Sequence, residues 1–108
     1  MFAHILVPID FSEPSEAAFA YGRDLAMQFG AALHLMHITE NPFLRAVVSD
    51  PISLEEAPMR WLQDRLTDDD RRRGGVAILE QSDEPAGEIL RYATSAGIDL
   101  IVMGTHGR

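Results

Sequence analysis

The sequence predicts an α/β domain built on a doubly wound parallel sheet. Three observations carry that prediction. Four short, nearly continuous apolar runs recur along the chain, at residues 4–9, 32–38, 76–80 and 98–103. Segments with helical spacing of apolar residues separate them. Cap residues, prolines and glycines mark the boundaries. Apolar runs of this kind suit strands buried on both faces. Their alternation with helices implies right-handed crossovers and a sheet covered on both sides.

The elements follow in order. Residues 4–9 (HILVPI) form the first strand. Ser12 is a suitable helix N-cap, and Pro14 is tolerated in the first turn. Ala18, Tyr21, Gly22, Leu25 and Phe29 then recur on one helical face, and Gly30 fits the position after the last turn. Residues 32–38 (ALHLMHI) are the second strand. Asn41-Pro42 ends it, and a long loop runs to Pro51. Ser53 and Glu56 have capping-box spacing, and Pro58 is an equally good start. From there one helix reaches Arg73, with Met59, Leu62 and Leu66 on one face and a charged, solvated end of three aspartates and three arginines. Gly74-Gly75 turns the chain into a third strand at 76–80. Ser82 and Pro85 introduce a third helix, with Ala86, Ile89, Leu90, Ala93 and Ala96 as its apolar face and Gly97 as its end. Residues 98–103 (IDLIVM) are the fourth strand, followed by Gly104-Thr105-His106-Gly107-Arg108.

Length and composition narrow the function classes. The 108 residues fit one domain, spanning 1–108. Apolar residues make up 46% and charged residues 24%, so disorder and low complexity are excluded. No apolar run is long enough to span a membrane, and MFAHILVPID lacks the basic start of a signal peptide. The net charge of −8 opposes nucleic-acid binding, which requires a basic face. Cysteine is absent, which removes thiol chemistry and cysteine-ligated zinc and fits a cytoplasmic protein. Lysine is absent too, which removes Schiff-base chemistry and the P-loop lysine.

Ligands of open α/β sheets bind beyond the carboxyl ends of the strands. Asp10 follows the first strand there, and residues 104–107 (GTHG) follow the fourth. Two glycines in such a loop allow backbone N–H groups to approach a phosphate, although a plain strand-to-helix turn has the same pattern. Asp10 is either a ligand-facing carboxylate or a turn acid beside Ser12. His106 is either a phosphate contact or a solvated loop residue. His4, His34 and His37 lack metal-ligand spacing and read as core or edge residues; His34 and His37 fall on opposite faces of one strand. No metal site and no catalytic residue emerges, since neither a nucleophile elbow nor a placed carboxylate pair is present.

The pieces HILVPIDFSEPSEAAFAYGRDLA, ALHLMHI, EPAGEILRYA and IDLIVMGTHGR together resemble the universal stress protein family across all 108 residues. The resemblance implies a Rossmann-like fold with strand order 3-2-1-4-5. It implies an ATP site, with Mg²⁺, in which Pro8 and Ile9 wall the adenine and Ile38 offers backbone hydrogen bonds to it. Asp10 would lie near the adenosine and the metal-phosphate region, Met103 would line the pocket, and the Gly104, His106 and Gly107 backbones would cradle ribose and phosphates. On this reading Gly104→Val blocks the nucleotide while the domain still folds. The family motif is G-x-x-G, nine residues, then G-[ST], and the chain carries its first half. The second half, a last helix and a fifth strand are expected in a longer protein. The alternative is a short form whose fourth-strand edge pairs with a partner chain. The family further implies a homodimer and at most slow ATP hydrolysis. The competing functional reading is a dimeric stress-signalling or interaction protein that binds no nucleotide; a true nucleotide hydrolase ranks last.

Overall fold

The computed structural model describes residues 2–39 and 51–104, and for 51–56 the backbone alone. Four parallel strands are present: β1 (His4–Pro8), β2 (Ala32–Thr39), β3 (Val76–Gln81) and β4 (Leu100–Ile101). They lie in the order β3-β2-β1-β4. The helices are α1 (Glu13–Phe29), α2 (Pro51–Arg65), α3 (Asp68–Arg72) and α4 (Pro85–Ser95). The predicted α/β, Rossmann-like parallel sheet is therefore the observed one. The long loop expected from Asn41 to Pro51 lies largely outside the described residues.

The period of two in a strand sorts the core. Ile5, Val7, Ile9, Leu33 and Leu35 face α1 and α2, where Ala18, Phe19, Ala26 and Leu62 meet them. Leu6 and Met36 face the other side and pack with Ile89 of α4. Ile5, Leu6 and Val7 are wholly buried, because β1 has a strand on each side and a helical layer on each face.

The local signals explain much of this. Ser12 caps α1, its side chain accepting from Ser15 N, and Gly30 ends the helix at φ 65°. The inward face of α1 is Ser15, Ala18, Phe19, Gly22 and Ala26. Of the expected face, Ala18 and Gly22 belong to it and Leu25 packs, partly buried, against the same core, but Tyr21 points to solvent and Phe29 is exposed, its ring edge-on to Phe2. Gly22 gives the reason. A Cβ there would stand 2.6 Å from Val7 Cγ2, so α1 approaches β1 along its line of small residues, which turns Tyr21 outward. On α4, likewise, Leu90 is exposed while Ile89, Tyr92 and Ala93 pack inward. Its N-cap position is Glu84, without a side-chain cap; Ser82 Oγ accepts from Glu84 N instead.

The single helix expected up to Arg73 is two helices. α2 starts at Pro51, carries Pro58 inside it and ends at Arg65. Thr67 then caps α3: its hydroxyl accepts from Asp70 N at 3.1 Å, while Asp70 Oδ2 accepts from Thr67 N at 2.9 Å. This capping box restarts the helix. It also corrects the expectation of a wholly solvated charge run. Asp68 and Asp69 are exposed, but Asp70 is buried between Arg23 of α1, at 3.1 Å, and Arg73, at 2.9 Å. β4 is shorter than the run at 98–103 suggested, although Val102 N still donates to Leu6 O.

Burial alone would raise the Asp70 pKa, but the Thr67 N–H and the Arg23 guanidinium outweigh it and hold the carboxyl below its ordinary value of 3.8. A depressed folded pKa contributes stability above the ordinary value, and that contribution is lost as pH falls through the folded one. Asp70→Ala should cost about 3 kcal/mol in urea denaturation at pH 7, since it strands two guanidinium groups. The gap to the wild type should narrow below about pH 4.

Candidate functional site

The carboxyl ends of β1 and β4 open a crevice of about 160 Å³. It lies where the chain order reverses, since β1 has β2 on one side and β4 on the other. Pro8, Ile9 and Asp10 enter it from the end of β1, and Met36 and Ile38 from β2. Met103 and Gly104 come from the segment after β4, and Pro85 and Ile89 from α4. Ser12, Pro14 and Ser15, at the start of α1, complete it. Six of the eight residues singled out in the sequence thus meet in one place. The other two, His106 and Gly107, lie outside the described residues.

The crevice is apolar on one side and polar on the other. Met36, Ile38 and Ile89 form the apolar wall. The polar side is Asp10 with Ser12 and Ser15. Asp10 Oδ1 accepts from Ser12 N at 3.0 Å and also from the Ser12 hydroxyl. The Asp10 backbone N–H is directed at Ser15 Oγ, 3.4 Å away, and that hydroxyl donates to Ser12 O. Asp10 therefore has the turn role that the sequence offered beside Ser12, and it also lines the crevice.

The backbone of Ile38 is the other polar feature. Ile9 N donates to Met36 O at 2.7 Å, so the even-numbered peptide groups of β2 face β1. Thr39 O, by contrast, accepts from Ser82 N on the β3 side. The register of β1 on β2 ends at Pro8 opposite Met36. Ile38 N–H and C=O accordingly point into the space that β1 leaves, one donor beside one acceptor.

A second layer holds this edge in place, and little in the sequence pointed to it. Phe11 has φ 66°, a left-handed conformation that costs a non-glycine residue about 1 kcal/mol. Its ring packs 4.5 Å from His37 and 4.8 Å from Trp61, centroid to centroid. His37 Nδ1–H donates to Ile9 O at 2.7 Å, which fixes the carbonyl just before Asp10. His37 thus serves the opposite face of β2 from His34, as the strand period requires. Met36 could have been found by its parity with Ile38. Pro85 and Ile89 could not, because they reach the crevice from a helix rather than a strand end.

Gly104 overturns one expectation. A Cβ there would lie 2.3 Å from the Pro14 carbonyl carbon and oxygen and 2.7 Å from Ser15 N. The close approach that demands glycine is to the backbone of α1, so a larger residue would disturb the fold as well as the crevice. Among the described residues, no cluster of three or more His, Cys, Asp or Glu could hold a metal ion. Among them, too, no helix is long and apolar enough to cross a membrane.

The model of the universal stress protein family matches residues 1–108. Among solved structures, a universal stress protein family member from Burkholderia pseudomallei is 30% identical, with a TM-score of 0.68 over 97% of this chain and 83% of its own. Universal stress protein UspA from Lactobacillus plantarum is 24% identical, with a TM-score of 0.73 over 98% of this chain and 81% of its own. A universal stress protein from Archaeoglobus fulgidus is 19% identical, with a TM-score of 0.70 over the whole of this chain and 80% of its own. No curated protein matches the chain.

Gly104→Ala should displace the start of α1. The expected loss is about 2 kcal/mol of stability in denaturant unfolding, the range for an overpacked site. Stability equal to the wild type would show that the approach of Gly104 to Pro14 is not tight in solution.

Proposed function

The chain belongs to the universal stress protein family, and on that footing we propose that its crevice binds an adenine nucleotide, ATP with Mg²⁺. The observation that carries this reading is the pairing of a flat apolar slot with the paired donor and acceptor of Ile38. An adenine ring has two apolar faces and an edge that presents a donor next to an acceptor. Met36, Ile38 and Ile89 suit the faces, with Pro8 and Ile9 as the remaining wall. The Ile38 N–H and C=O suit the edge. Asp10 is then within the ribose and metal-phosphate region, and Gly104 begins the backbone cradle whose remainder, His106 and Gly107, follows it in sequence. Apolar walls with few convergent polar groups are the usual make-up of a small-ligand pocket.

Binding rather than turnover is the proposed role. The chain has no lysine, and efficient phosphoryl transfer recruits positioned cations together with Mg²⁺. We place the protein in the cytoplasm as a homodimer, with β4 at the edge of the described sheet as one surface on which a second copy could pair.

Titration calorimetry with Mg-ATP tests the proposal. One nucleotide should bind per chain. Met103→Glu puts a negative charge at the mouth of the crevice, on a side chain already 55% exposed, so the fold is spared. It should weaken binding at least tenfold, equivalent to about 1.4 kcal/mol. No heat from folded wild-type protein at millimolar ATP would overturn the reading.

A further inference from the structure

The opposite end of the sheet carries a polar cluster that the crevice does not use. His4 Nδ1 lies 3.2 Å from His34 Nε2, and His34 Nδ1 lies 2.7 Å from the hydroxyl of Tyr92. The three groups come from β1, β2 and α4. His34 is only 7% exposed and sits under α4. We propose that this His4–His34–Tyr92 chain is an acid-sensitive latch that docks α4 on the sheet and, through α4, shapes the crevice at its other end.

Proton counting gives the latch its threshold. With both imidazoles neutral, each contact has one donor and one acceptor, in either direction along the chain. A first proton is accommodated. If it sits on His4, His4 Nδ1–H donates to His34 Nε2, and His34 Nδ1–H donates to Tyr92. A second proton is not accommodated, because it sets two N–H groups and two positive charges face to face at 3.2 Å. It can enter only if the pair separates. Asp99 accepts from the backbone N–H of Ala3 and His4 and lies close to the His4 ring. From β3, Glu80 acts on Tyr92 rather than on His34. Burial, and then the neighbouring His4, lower the pKa of His34 from 6.5. A lowered folded pKa means that the docked state loses stability as pH falls through 6.5.

α4 is the element such a change would release. Its one buried residue is Ile89, supported by the half-buried Tyr92 and Ala93. Among the described residues, Tyr92 makes the one side-chain hydrogen bond from α4 to the sheet. Among the described residues, the core cluster that joins α4 to the sheet has three buried residues, against eleven in the cluster on the side of α1 and α2. Pro85 and Ile89 of α4 also line the crevice. Undocking α4 would therefore remove part of the apolar wall. This last link rests on the nucleotide reading above; the latch itself does not.

Hydrogen exchange on the unliganded full chain at pH 7.5 and 5.5, corrected for intrinsic rates, tests the latch. Protection of α4 amides should fall at least tenfold more than that of β1 and β2. His4→Gln replaces the facing imidazole with a side chain that carries no charge at a half-exposed position, and it should reduce the difference at least threefold, the burial of His34 accounting for what remains. Tyr92→Phe should leave α4 weakly protected at both pH values. Adenosine, which does not titrate in this range, should bind more weakly at pH 5.5 in the wild type, and the weakening should be smaller in His4→Gln. Equal loss of protection across α4 and the sheet, or the same α4 response in His4→Gln, would overturn the latch. An α4 that opens as expected in a protein that binds no adenosine at either pH would support the latch and overturn the nucleotide reading.

Discussion

The position of β1 between β2 and β4 is the constraint on which the rest of the molecule depends. A strand flanked on both sides and covered on both faces has no polar option, hence the wholly buried Ile5, Leu6 and Val7. Its neighbours run on past its end in different directions: β2 continues to Thr39, and the segment after β4 turns towards α1. A crevice at the end of β1 is the geometric result. Its polar edge, the peptide groups of Ile38, exists because β1 stops one step earlier.

The start of α1 turns that gap into a defined surface. Asp10, Ser12 and Ser15 bond to one another within the turn, and Gly104 passes close enough to Pro14 to leave no room for a side chain. Phe11 bears a strained backbone, stabilised by its aromatic neighbours His37 and Trp61. The strain lies between the residue that ends β1 and the residue that caps α1, where the chain must reverse. Arg65, stacked 3.9 Å over the Trp61 ring, ties the same cluster to the end of α2. The two faces of the sheet are unequal in consequence. The α1–α2 face is thick and anchored by the Asp70 ion pairs, while the α4 face is thin and closed by one histidine–tyrosine contact.

The sequence made the strands legible because a buried parallel strand is an uninterrupted apolar run, and Ser12 and Gly30 fixed α1 because caps act locally. Asp10 and Gly104 could be placed at the crevice by the rule that ligands meet strand ends, and Ile38 by the family resemblance. Three things were not legible. The facing residues of α1 depend on how closely Gly22 meets Val7, which is a tertiary distance. The break at Thr67 was hidden by continuous helical periodicity on both sides of it. Asp70 read as one of three equivalent aspartates, and what distinguishes it is the capping box with Thr67 together with Arg23, 47 positions away. Nor was one reason for Gly104 legible: the backbone of Pro14 comes too close to leave room for a side chain, whatever ligand the crevice takes.

The central claim is that the end of β1 is the place where an adenine nucleotide binds. The most direct measurement is a map of amide chemical-shift changes in ¹⁵N-labelled protein on addition of Mg-ATP. The account predicts the largest changes at Ile9, Asp10, Ile38, Met103 and Gly104, with little at Val76 on the far edge or at Tyr21 on the outer face of α1. Changes centred elsewhere, or none at saturating nucleotide, would contradict it.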